Sequence, residues 1–251
     1  MAVELHLTPD DRWPVEPDQL MALVAEAGFA GLGVFRRWVD EGTADALGAH
    51  GLRCREVLAH IIRDDAERTL LRAGQLAEVA ALVGADWILT VFETDLTEES
   101  VALARRSAAV MSDAGTAMAL EFTPLGPVGT LGAGLELADA LGHGVKLVVD
   151  SWHVCLGATT WEELERAPLE RVAYVQFDDA LPPISDDARD ESTNRRTVPG
   201  AGILELERFA TTLLDRGWEG PVSVEVLGGA VGLPVPELVR ASYQASARFW
   251  L

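Results

Sequence analysis

The sequence is poor in cysteine, lysine and histidine. Its two cysteines, Cys54 and Cys155, lie far apart in the chain. That spacing matches no thiolate metal motif, and two lone thiols fit buried small hydrophobes in a reducing compartment. Lysine occurs once, at Lys146, and 20 basic residues face 40 acids, giving a net charge of −20. Such a chain repels nucleic acid and anionic membrane unless its bases are concentrated in a patch, and no run of bases supplies one. Long apolar runs are also missing, since none approaches the roughly 20 residues that cross a bilayer. The opening MAVELHLTPDD has neither the basic start nor the long apolar stretch of a secretory signal. These absences predict a cytoplasmic protein with no nucleic-acid or membrane partner. Linkers and low-complexity segments are absent, so residues 1–251 are expected to form one domain.

What is present is alternation. Short Val- and Leu-rich runs predict strands over Val3–Leu7, Gly31–Phe35, Leu52–Ala59, Asp86–Phe92, Ala117–Phe122, Val145–Asp150, Val172–Phe177 and Pro221–Val226. Between them, apolar residues at helical spacing predict helices over Asp18–Ala27, Asp40–His50, Asp65–Val83, Thr97–Ala114, Thr130–Leu141, Trp161–Glu165, Leu204–Arg216 and Pro236–Phe249, most of them stopped by glycine. Asp178–Gly200 reads as one long polar loop. Regular alternation implies a parallel sheet with helical crossovers, and about eight units in some 250 residues is the size of a (β/α)8 TIM barrel. A doubly wound open sheet is the runner-up. The turn after the first strand, HLTPDD, lacks the glycines that a dinucleotide fingerprint needs.

In a barrel the C-terminal strand ends share one face, and that face holds the active site. Standing there on this reading are His6, Arg36, His60, Glu93, Glu121, Asp150 with His153 beyond it, Gln176 and Glu225. Glu121, Asp150, Gln176 and Glu225 fall late in four successive apolar runs. A carboxylate turned toward the helices would be buried unpaired, at a cost of several kcal/mol. Three turned inward together would repel one another unless a cation neutralised them. Each residue has a plainer reading alone: Glu121 could pair with an arginine, and Gln176 could be a satisfied core amide. Their coincidence on one face argues for one divalent ion. An oxygen-rich set without thiolate favours Mg²⁺ or Mn²⁺ over Zn²⁺.

His153 could be a fifth ligand, but a hydrogen-bond donor or proton shuttle toward substrate suits it better. Arg196, before the Pro199–Gly202 turn, could clamp a carboxylate, phosphate or hydroxyl-rich substrate, or Arg195 and Arg196 could merely neutralise Asp186, Asp187, Asp190 and Glu191. His6 and His60 are assigned to substrate binding because their strands end at the same mouth.

The segments LEFTP (120–124), VVDSWH (148–153), YVQFDDA (174–180), ESTNRRTVPGAG (191–202) and VSVEV (222–226) resemble the xylose-isomerase-like barrel superfamily of sugar phosphate isomerases and epimerases. The resemblance implies that Glu121, Asp150, Gln176 and Glu225 hold one divalent metal, and that His153 and Arg196 contact substrate. Gln176 departs from the histidine of many members, though hydroxypyruvate-isomerase-like members also use glutamine. The turn reads PGAG where PGEG is common. The implied chemistry is proton exchange α to a carbonyl by Glu121 and Glu225, through a metal-stabilised enediolate, on a sugar or small hydroxy-ketone. A dehydratase or deglycosidase lyase on the same barrel is the alternative. An apurinic-site endonuclease would need a basic groove and more histidines, and a non-catalytic sugar-binding barrel would not need acids on both sides of the site. Substrate identity, its phosphorylation and any homo-oligomer stay open.

Overall fold

The computed structural model describes residues 3–228 and 232–251. Nine parallel strands form one nearly closed sheet: β1 (Glu4–Leu7), β2 (Gly31–Leu32), β3 (Val34–Phe35), β4 (Glu56–Ile62), β5 (Trp87–Phe92), β6 (Ala117–Glu121), β7 (Lys146–Asp150), β8 (Val172–Phe177) and β11 (Pro221–Val224). Their order is β2-β1-β11-β8-β7-β6-β5-β4-β3. β2 and β3 are two pieces of the predicted second strand, so the ring has the eight positions of a TIM barrel. A separate two-stranded ribbon pairs β9 (Asp179–Ala180) with β10 (Arg196–Thr197).

The main helices are α1 (Pro17–Ala27), α2 (Thr43–Ala49), α3 (Ala66–Val83), α4 (Glu98–Asp113), α5 (Leu131–Leu141), α6 (Ser151–Leu156), α7 (Trp161–Arg166), α8 (Ala188–Asn194), α9 (Leu206–Asp215) and α10 (Val235–Trp250). Their ends follow local chemistry. Thr97 and Ser100 form a reciprocal cap at the start of α4, and Asp65 accepts from the Arg68 amide at the start of α3. No helix among the described residues is long and apolar enough to cross a membrane.

Two apolar layers follow from strand alternation. Leu5, Val57, Ile88, Leu120, Leu147, Val175 and Val222 join the large core under the helices. Leu58, Leu89, Ala119, Val148 and Tyr174 fill the barrel interior. Polar side chains also enter that interior. Glu56 is 2% exposed, and its Oε1 accepts from Thr8 Oγ1 at 2.6 Å and Ser223 Oγ at 2.7 Å. Glycine on the second strand makes room for them. A Cβ at Gly33 would stand 2.8 Å from Glu56 Oε1, and one at Gly31 would stand 2.2 Å from His6 Nδ1. Burial raises the Glu56 carboxyl above the usual range, against the hydrogen bonds from Thr8 and Ser223.

The third strand differs from its expected position. It runs over Glu56–Ile62 rather than Leu52–Ala59. Its register against β5 jumps from Val57↔Ile88 to His60↔Thr90, so three steps on β4 oppose two on β5. That bulge reverses the alternation. His60 takes the side of Thr90 and Ile88, toward the helix layer, and is fully buried there.

Burial, and then the charge of Arg72, lower His60 to about 4. The unfolded imidazole takes its proton near pH 6.5. Between those values the unfolded state binds more protons, so stability falls as pH falls from about 6.5 to 4. His60→Phe is expected to remove roughly 3 kcal/mol of that acid loss at pH 4. Urea unfolding at pH 7 and pH 4 checks this, and an unchanged pH slope in the variant would refute it.

Candidate active site

Alternation carries the interior side of the sheet upward into the site. Ala119, Val148 and Tyr174 point into the barrel, and two residues further on so do Glu121, Asp150 and Gln176. Asp150 and Gln176 are register partners across β7 and β8. Glu225 lies one residue beyond β11, with its amide donating to the Phe177 carbonyl at 3.2 Å. All four are buried.

Asp150 does two jobs. Its Oδ1 caps α6, accepting from the Trp152 amide at 2.6 Å and the His153 amide at 3.2 Å. Its Oδ2 faces the site. His153 stands in the first turn of α6, a helix that the sequence does not predict. A helix that short, started by a strand-end aspartate, leaves no periodicity to detect. The cap brings His153 Nε2 to 3.1 Å from Glu121 Oε1 and 3.8 Å from Asp150 Oδ2.

Arg196 is the second organiser. It is 2% exposed. Its Nη1 donates to Asp150 Oδ2 at 2.8 Å and to Asp178 Oδ2, and lies 3.0 Å from Glu225 Oε2. Its Nε donates to the Ser192 carbonyl at 3.0 Å. Of the nearby acid run, Glu191 is met by Arg195, whose Nε is 2.9 Å from Glu191 Oε2.

The long loop is structured by Asp179. Its Oδ2 accepts from the amides of Gly200 at 3.0 Å and Gly202 at 2.8 Å, and its Oδ1 from those of Ala180 at 2.8 Å and Leu204 at 2.9 Å. This clamp and the β9–β10 ribbon deliver Arg196 to the carboxylates. Asp178 and Asp179 are not among the candidates the sequence singles out. Their signal is a run, apolar but for Gln176, that leads into two acids.

Oxygens of Asp150, Asp178 and Glu225 lie within 4.8 Å of one another, as do ligand atoms of Glu121, Asp150 and His153. Burial and repulsion from neighbouring acids raise Glu225 and Asp178 well above the carboxylate range, against the pull of Arg196. Burial acts the same way on Asp150, but the charges of Arg196 and His153 outweigh it and hold Asp150 low. Three buried carboxyls thus share one guanidinium, and the fourth, Glu121, stands against His153. Gln176 Nε2 donates to Glu225 Oε1 at 2.9 Å, while its Oε1 is buried without a partner. A divalent cation fits this donor set, because it would take up the surplus negative charge and the unused amide oxygen.

The cleft above is small, about 180 Å³, and is lined by Glu121, His153, Arg196, Glu225, Glu93 and Leu125 among others. Two expected members are elsewhere. His60 faces the helix layer. His6 points into the barrel, but the charges acting on it are Arg55, Glu4 and Arg53, at the opposite ends of the strands. The structure brings neither to the cleft.

A parallel barrel with a polar cluster at its C-terminal mouth defines the class, and the chain belongs to the xylose isomerase-like TIM barrel family, whose model matches residues 3–249. Among characterised relatives, it is 30% identical over 115 residues to inosose isomerase of Halalkalibacterium halodurans, covering 45% of this chain and 40% of that one. It is 25% identical over 162 residues to inosose isomerase of Bacillus licheniformis, covering 60% and 57%. The matches thus span less than two thirds of either relative. The fold superposes on the IolI protein crystallised with a zinc atom at a TM-score of 0.85, with 18% identity and 98% of both chains covered. D-psicose 3-epimerase of Clostridium cellulolyticum H10, crystallised with D-tagatose, superposes at 0.76 with 15% identity and 99% of both chains covered.

Proposed function

We propose that this protein is a divalent-metal-dependent isomerase or epimerase of a small polyhydroxy-ketone, of the inosose or ketose kind. The observation that carries the reading is the convergence of Glu121, Asp150, Glu225 and the unpartnered Gln176 Oε1 beside one small cleft. The distant inosose isomerase relatives support the substrate class.

Glu121, Asp150, Gln176 and Glu225 would hold the metal, and Mn²⁺ or Mg²⁺ suits their oxygens. When bound, the ion would supply Lewis acidity that steadies negative charge developing on substrate oxygens. The chain's own groups do the rest. Glu121 and Glu225 approach from strands on either side of Asp150 and Gln176, so one can take the proton α to the carbonyl while the other returns it. His153, held against Glu121, offers a proton or hydrogen bond to a substrate oxygen. Arg196 and His153 both line the cleft and would orient hydroxyl groups there. The cleft's volume lies below the range for drug-sized ligands, which matches a small substrate.

Incubating candidate inososes and ketoses with the protein in D₂O and Mn²⁺ tests the reading. Deuterium is expected at the carbon α to the carbonyl, and chelation should abolish its incorporation until Mn²⁺ or Mg²⁺ is restored. Zn²⁺ is the comparison ion. Loss of water from the substrate instead would indicate a lyase. Gln176→Leu removes one proposed ligand and is expected to weaken Mn²⁺ binding by on the order of tenfold or more. Water-proton relaxation measures this without turnover, and wild-type affinity in the variant would remove Gln176 from the ligand set.

A further inference from the structure

We propose that a second cleft on the same rim, between α3 and the free edge of β4, binds an oxyanion of the phosphate or carboxylate class through Arg68 and Arg72, with Arg36 beside them. The site is separate from the carboxylate cluster and does not depend on the metal reading.

The cleft exists because β3 is short. β3 pairs with Val57 and Leu58 and no further. Ala59 and Ile61 beyond that point line an opening of about 470 Å³, whose other wall is α3. Arg68 and Arg72 stand one helical turn apart on that wall, so both side chains reach the same space. Thr69 and Gln75 add polar groups, and Leu71, 61% exposed, adds an apolar rim.

The half-buried arginines here are unlike those elsewhere among the described residues, where Arg55, Arg171 and Arg195 each meet a carboxylate. Acids outnumber bases 40 to 20, so an arginine readily finds a carboxylate. Arg36 and Arg72 are half-buried, yet among the described residues no carboxylate or carbonyl accepts a hydrogen bond from either side chain. One acid, Asp65, lines the cleft, and its Oδ1 accepts from the Arg68 amide; Asp64 accepts from Thr94, and Glu93 holds Arg63 Nε at 2.9 Å. Glu67 is exposed and sits one residue from Arg68, where helix side chains diverge. Partial burial, and then repulsion from Arg36 and Arg68, lower the Arg72 guanidinium. Arg36, Arg68 and Arg72 outnumber the one acid of the cleft, so an anion between them is stabilising, and guanidinium forks match carboxylate and phosphate geometry. Among the half-buried arginines, Arg216 by contrast donates to the carbonyls of Leu164 and Ala167.

The two clefts are neighbours. Arg63 lines this one and bonds Glu93, which lines the catalytic cleft. An anion could therefore be the charged end of a substrate whose reactive carbons lie at Glu121 and Glu225, or a free effector.

Inorganic phosphate is the probe, titrated calorimetrically into the full-length protein at constant ionic strength set with chloride. Saturable binding is expected, weakened at least tenfold by Arg72→Gln and several-fold by Arg68→Gln or Arg36→Gln. Arg106→Gln, which removes an exposed arginine on α4, should leave it unchanged. No saturable binding by the wild type overturns the proposal. So does wild-type affinity in Arg72→Gln, or an equal loss in Arg106→Gln. In the α-proton exchange assay, competitive inhibition by phosphate would assign the cleft to the substrate's anionic end. Phosphate binding without competition would assign it to a separate anion.

Discussion

Glu121→Gln and Glu225→Gln are each expected to lower α-proton exchange in D₂O by about 10²–10⁴-fold, the usual contribution of a positioned acid or base. Both substitutions keep side-chain size and an oxygen that can still accept a hydrogen bond. They remove the ability to take a proton. Glu121 sits against His153 Nε2, and Glu225 sits against Gln176 Nε2 and Arg196 Nη1, so neither change opens a cavity. Far-ultraviolet circular dichroism should therefore match the wild type. The two variants need not be equal. With a proton acceptor on each side, one substrate epimer should be hit harder by the loss of Glu121 and the other by the loss of Glu225. Exchange at the wild-type rate in either variant would end that residue's role as acid or base.

Arg196→Met should cost about 3–5 kcal/mol of folding stability, the range for breaking a buried ion pair from one side. Methionine roughly fills the space but leaves Asp150, Asp178 and Glu225 without their shared guanidinium. The loss should depend on pH in a definite direction. Asp150 is held low by Arg196, so its stabilising contribution is present above the unfolded carboxylate range and is lost as pH falls through its folded value. Asp178 and Glu225 are raised, so as ions they oppose folding above their folded values. The variant should thus be weakest at neutral and alkaline pH and recover toward the wild type as its carboxyls protonate. Added Mn²⁺ should raise its urea midpoint more than that of the wild type, since the ion replaces the missing positive charge. Equal urea midpoints for variant and wild type at pH 7, without added metal, would show that Arg196 is not the cluster's counter-ion.

The barrel was legible in the sequence because its signals are local. Val-rich runs buried on both faces, glycine stops and a regular alternation with helices need no long-range knowledge. Glu121, Asp150, Gln176 and Glu225 were legible for a related reason. A polar residue at the end of an apolar run is anomalous wherever it occurs, and four in successive strands must share one rim. The errors lie where the local signal breaks down. His60 was assigned to the mouth by counting along a strand, and a bulge in β4 inverted the count. His6 was assigned by its strand, but strand membership does not tell the height of a side chain within the barrel. The ribbon β9–β10 and α8 went unseen because their elements are too short and polar to show a period.

By itself the sequence determined the order of the barrel strands and the helices between them, the burial of the acids, and the surplus of negative charge. The tertiary structure alone decided how that charge is shared. Arg196 could be read as neutralising the nearby acid run, yet it is buried against Asp150, Asp178 and Glu225 while Arg195 meets Glu191. The choice depends on the Asp179 clamp and the β9–β10 pairing, which join residues some twenty positions apart. Contacts of that kind are set by the closure of the fold and leave no period in the chain. Asp150 is the residue where the two levels meet: its burial can be read from the run before it, but its division between capping α6 and facing the site depends on the folded geometry.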